Sequence, residues 1–168
     1  MSVIDLTVYL KQGSKNEKVI LEPLLKTYNP YELSAKLLQY IGEDDILCSF
    51  KSADALNQLI QRKYIMVDVF KTELIVLLQQ NPKNLPFQFP LFIGHLTLDQ
   101  KALGFVWTRL SEWVSQQHTS RIFRVNCLQA LHDLKTSALQ KDYDLIVSSL
   151  AHVPIASLQA RIRILAKK

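Results

Sequence analysis

Apolar residues recur at three- and four-residue spacings along almost the whole chain. Val19, Leu21, Leu24 and Leu25 form a first cluster, and Leu33, Leu37, Leu38 and Ile41 a second. This spacing lays one apolar stripe along a helix. Asn29-Pro30 stands between the clusters and reads as an N-cap followed by a first-turn proline, so two short helices meet at a corner. A third helix is predicted from near Asp44, through Ala53, Leu56, Leu59 and Ile60, to near Lys63. The segment from Val67 to Leu78 holds enough Val and Ile for a strand. Its apolar residues do not alternate, and the pattern favours a buried helix.

The polar, proline-containing stretch from Gln79 to Pro86 resembles a linker, yet its length is ordinary for a helix connection. Phe87, Phe89, Leu91, Phe92 and Ile93 follow at once and need a core to enter. The reading is therefore a single domain over residues 1–168. Further helices are expected over residues 99–117, 120–138, 143–150 and 155–166, with a cap near Asp99 and a helix start near Pro154. No hairpin or parallel-sheet pattern interrupts them. The prediction is an all-α chain of about nine helices joined by short turns.

One pattern repeats. Ala-Asp-Ala-Leu-Asn-Gln-Leu at residues 53–59 is echoed by Leu-Gln-Ala-Leu-His-Asp-Leu at residues 128–134, matching Ala55 with Ala130, Leu56 with Leu131 and Leu59 with Leu134. Leu96 stands about midway, and a fainter echo begins at Leu158-Gln159-Ala160. A spacing of this size is that of a helical-hairpin repeat. In this pattern the chain resembles the HEAT or armadillo-like α-solenoid superfamily, most clearly over residues 43–62 and 119–139. The resemblance implies a right-handed superhelix of stacked antiparallel helix hairpins, with a concave face that holds a protein or a nucleic acid. A nonrepetitive helical bundle is the alternative arrangement. Ala55 and Ala130 would let helices approach closely, while the leucines fill the seams.

Composition narrows the class. With 168 residues, 48% of them apolar and 21% charged, the chain can bury one substantial core. Cys48 and Cys127 are too few for a four-cysteine metal site or a disulfide framework. A reduced, cytoplasmic protein is the expectation. The opening Met-Ser-Val-Ile-Asp lacks the basic flank of a secretory signal. The longest apolar run, Leu74 to Leu78, falls far short of the roughly 20 residues of a membrane helix, so no membrane partner is expected.

The net charge of +5 is unevenly placed. Residues 1–84 carry ten basic and ten acidic side chains, whereas residues 85–168 carry ten basic and five acidic. The whole excess lies in the second half, where it could attract a phosphate backbone or an acidic protein. Ordinary solubility charge would look the same. Within this half, Arg109 and Trp113 lie four apart and could share a helix face, and Arg121 and Arg124 open the next helix, where free amides also attract anions. These four are the candidate binding residues. Arg121 and Arg124 could instead cover apolar seams with their aliphatic stems. Trp107 and Trp113 lie six apart and cannot project along one line, so Trp107 is assigned to the core and Trp113 to its edge or to a partner contact. Arg161, Arg163, Lys167 and Lys168 make a further basic group near the terminus.

Catalytic chemistry finds little footing. His95, His118, His132 and His152 are widely spaced, without the paired spacing of a metalloprotease helix. His132-Asp133 places a base beside a carboxylate, but neighbours on a helix point about 100° apart. The run Glu43-Asp44-Asp45 reads as an acidic helix start, and no glycine-rich phosphate loop occurs. No catalytic residue, metal site or cofactor is expected. The preferred function is a noncatalytic protein-interaction or scaffold module. The alternative is a nucleic-acid-binding HEAT-like protein related to the DNA alkylation-repair glycosylases, which the chain is similar to in its helical repeats and basic second half. Oligomeric state stays open.

Overall fold

The computed structural model describes residues 4–117 and 119–167; His118 and Lys168, named above, lie outside them. The described residues form ten α-helices and two 3-10 turns, with no strand. The chain is all-α. Its backbone divides into two compact units, Met1–Phe89 and Pro90–Lys168.

The first unit holds α1 (Leu6–Leu10), α2 (Leu21–Thr27), α3 (Pro30–Leu38), α4 (Ile46–Gln61) and α5 (Lys71–Gln80). Local chemistry sets the starts of α1, α3 and α4. Asp5, Asn29 and Asp45 each turn a side-chain oxygen back onto the amide three residues on, and Pro30 occupies the first turn of α3, where its missing N–H costs nothing. The corner expected at Asn29-Pro30 is present. The segment expected as one helix from Val67 is two pieces, a 3-10 turn at Val67–Phe70 and then α5, which ends on left-handed Asn81. Asparagine tolerates that conformation better than most residues. α1 was not anticipated, because five residues are too few to show a period.

α4 is the centre of this unit. It packs on α3 and α1, and Ala53, Ala55, Leu56 and Leu59 are buried. It also pins the irregular segment before α2. Asp54 accepts hydrogen bonds from the Val19 amide at 2.8 Å and from Gln58 Nε2 at 3.0 Å, while Gln58 Nε2 donates to the Val19 carbonyl at 2.9 Å. The buried Lys51 ammonium donates to the Glu17 carbonyl. Polar groups inside this unit thus satisfy backbone that has no helix of its own.

The second unit contains α7 (Gln100–Ser115), α8 (Arg121–Leu134), α9 (Gln140–Leu150) and α10 (Ala156–Leu165); α6 (Phe89–Gly94) begins at the boundary. Asp99 caps α7 through the Ala102 amide at 2.8 Å, and Ser120 caps α8 through the Phe123 amide at 3.1 Å. α8 is the hub, packing along α7 on one side and α10 on another. Its buried face carries Phe123, Val125, Cys127, Leu128, Ala130, Leu131 and Leu134. Val106, Trp107, Leu110, Trp113 and Val114 make the facing stripe of α7. The buried stripe is what fixes each helix, because isolated helices of this length are marginal in water.

Candidate functional site

The four candidate binding residues occupy different environments. Arg109 forms an ion pair with Glu112 along α7 at 3.0 Å, and its Nε is buried without a hydrogen-bond partner. Trp113 is 3% exposed, with its ring edge-on to Phe123 at 5.2 Å. It belongs to the α7–α8 seam and offers no surface anchor. Arg121 is exposed at the first position of α8. Arg124, one turn on, is 3% exposed.

What separates the two arginines of α8 is the end of α7. Gln116, the C-cap of α7, donates its amide to the carbonyls of Glu112 and Trp113, and the Thr119 hydroxyl reaches the carbonyls of Trp113 and Gln116. The Val114 carbonyl is taken by Arg124 Nε at 2.8 Å. A long side chain from the first turn of one helix thereby satisfies the last turn of its neighbour. Among the described residues no carboxylate pairs with Arg124, and no acceptor binds its two terminal nitrogens. Its charge is felt locally. Burial pushes the Cys127 thiol well above its usual range, and the Arg124 guanidinium pulls in the opposite direction.

Arg121 and Arg124 border one open cleft of about 930 Å³ within the second unit. One wall is the α7–α8 turn, with Ser115, Gln117, Thr119 and Ser120. The other is the α9–α10 turn, with Leu150, Val153, Pro154 and Ile155, and with His152 beside them. That second turn is held by Gln159, whose Nε2 donates to the Leu150 carbonyl at 2.8 Å and to the Val153 carbonyl at 2.9 Å. The last carbonyl of α9 and one carbonyl of the following turn are therefore already occupied. Among the described residues, no acidic side chain lines the cleft. Sequence reasoning reached Arg121 and Arg124 but not the 149–155 wall. A turn of Ala, His, Val and Pro carries no mark of what it faces.

The remaining chemistry is sparse. His132 Nδ1 lies 3.4 Å from Asp133 Oδ1, and its ring stands edge-on to Tyr143 at 5.8 Å. Among the described residues, no group of three His, Cys, Asp or Glu side chains gathers as a metal site, and no helix is long and apolar enough to cross a membrane. Comparison of the chain with protein families, with curated proteins and with solved structures finds no match to any of them.

Proposed function

We propose that the chain is a noncatalytic protein-interaction module and that the cleft of its second unit receives a segment of a partner polypeptide. The carrying observation is the mixed character of that cleft. Leu150, Val153, Pro154 and Ile155 form an apolar wall, opposed by hydroxyls and by two arginines without carboxylate neighbours. A chain with an apolar side chain flanked by an acidic group complements both walls. The α3–α4 and α7–α8 pairs, with equivalent buried Ala-Leu positions at 55–56 and 130–131, support a HEAT-like stack of helix hairpins as the scaffold that presents it.

Nucleic acid fits this surface less well. Phosphate-backbone binding needs a row of exposed cations, and of Arg109, Arg121 and Arg124 only Arg121 is exposed: Arg109 is paired with Glu112, and Arg124 is 3% exposed and borders only the cleft, so the three make a single corner and not a row. Selection from a displayed random-peptide library, using the full chain and its Ile155→Asp variant, tests the proposal. The expected result is a set of peptides that bind the parent and lose binding to the variant, with no competition from duplex DNA at moderate salt. Peptides indifferent to Ile155→Asp, or salt-dependent DNA binding that Arg121→Gln abolishes, would overturn it.

A further inference from the structure

The cleft has a second property that a peptide groove does not require. Its floor is a cationic corner assembled from three independent parts. The first is the N-terminal end of α8, a helix of 14 residues whose Arg121 and Ile122 amides precede the first intrahelical bond, which runs from the Arg124 amide to the Ser120 carbonyl at 3.0 Å. Those two amides have no acceptor within the helix, and they carry the positive end of its dipole. Ser120 already accepts from the Phe123 amide, which leaves its hydroxyl proton to donate. The second part is Arg121, exposed and without an ion pair among the described residues.

The third part is Arg124, which decides the matter. A guanidinium does not give up its proton in a protein, and burying it without an opposing charge is costly. Arg124 is 97% buried by the complement of its 3% exposure, spends only Nε on Val114, and still borders the cleft. Capping one carbonyl needs a single donor. The remaining guanidinium charge is held at the cleft with no acid beside it. On the α9 side, Gln159 takes up the carbonyls of Leu150 and Val153, and no carboxylate lines the cleft among the described residues.

From this we infer that the corner formed by Ser120, Arg121 and Arg124 binds the phosphate monoester of a phosphorylated serine or threonine on the partner segment. Two arginines supply two positive charges, because the dipole at the α8 N-terminus is offset by the C-terminal ends of α7 and α9 at the same cleft, and two charges match a phosphate of charge about −1.5 to −2 better than a single carboxylate. The apolar wall at Val153, Pro154 and Ile155 then receives the neighbouring residues. The inference rests on the cleft being a peptide site, and the experiment separates the two.

The full chain is titrated with inorganic phosphate while its amide chemical shifts are followed, and then with synthetic peptides taken from the library selection, each made with serine, glutamate or phosphoserine at one position. Phosphate alone is expected to move the Arg121 and Ile122 amides saturably. The phosphoserine peptide is expected to bind at least ~10-fold more tightly than its serine and glutamate forms, and Arg121→Gln, a surface change, to remove that advantage. Arg124→Lys is expected to do the same while the chain stays folded, since lysine keeps the charge but not the fork. Serine peptides that bind through the cleft and gain nothing from phosphorylation would overturn this inference and leave the peptide-binding reading standing. Phosphate that moves the Arg121 and Ile122 amides, with no peptide binding in any form, would overturn both.

Discussion

Arg124 Nε donates to the Val114 carbonyl at 2.8 Å, so the first turn of α8 closes the last turn of α7. The contact converts a cation into a structural cap, and it explains how a charged residue can stand on a face otherwise made of Phe123, Val125, Cys127 and Leu128. Replacing Arg124 with Met keeps most of the aliphatic stem but strands a buried carbonyl, at an expected cost of about 1–3 kcal/mol. Arg121→Met, at an exposed position, should stay within about 0.5 kcal/mol of the parent. Urea denaturation of the two variants measures the difference. Equal stabilities would show that the Arg124 contact does not hold the α7–α8 junction.

Gly94 and Gly104 are both helical, yet alanine should act on them with opposite signs. A Cβ at Gly94 would lie 2.9 Å from Ala130 Cα and 3.1 Å from Ala130 Cβ, whereas one at Gly104 meets nothing within 4 Å. Gly104→Ala is expected to stabilise the chain by about 0.5–1 kcal/mol, the usual gain inside a helix. Gly94→Ala is expected to destabilise it by about 1–3 kcal/mol, since α6 and α8 must move apart. Truncating Ala130 to Gly in addition should not rescue Gly94→Ala, because the nearer atom is backbone. Thermal melts of the three variants report the signs directly.

The Gly94–Ala130 approach also shows how far the sequence could be read. Ala130 stood out as a small residue in the repeat shared with residues 53–59, and its place at a tight helix contact follows from that pattern. The caps at Asn29 and Asp99 were legible for the same reason, since each acts within three residues of itself. The environments of Arg121 and Arg124 were not. Three residues apart on one helix, they differ only because the end of α7 covers the second and not the first. The cleft was hidden for a similar reason. Its walls lie some thirty residues apart in sequence, at 115–124 and 149–155, and neither turn has a periodic pattern.

Acid should weaken the first unit through Asp45. The Cys48 amide, and then the Lys11 ammonium, hold the Asp45 carboxyl below its usual range. A carboxyl with a lowered folded value contributes stability that is present above its unfolded value, about 3.9, and is lost as pH falls through the folded value. Asp45→Asn keeps a capping oxygen and removes the charge. The expected outcome is a lower stability at neutral pH together with a shallower loss of stability on acidification, followed by denaturant melts across that range. An acid limb as steep as the parent's would remove Asp45 from its causes.

Peptide binding in the cleft requires the α7–α8 and α9–α10 turns to act as one recognition surface. The most direct measurement is an amide chemical-shift map of the full chain, titrated with the tightest peptide from the library selection. The largest shifts are expected on residues 115–117, 119–124 and 149–155, with Arg121 and Ile155 among them. Shifts gathered instead around the exposed apolar residues of the first unit, Tyr31, Met66, Val69 and Val76, with the cleft unmoved, would contradict it.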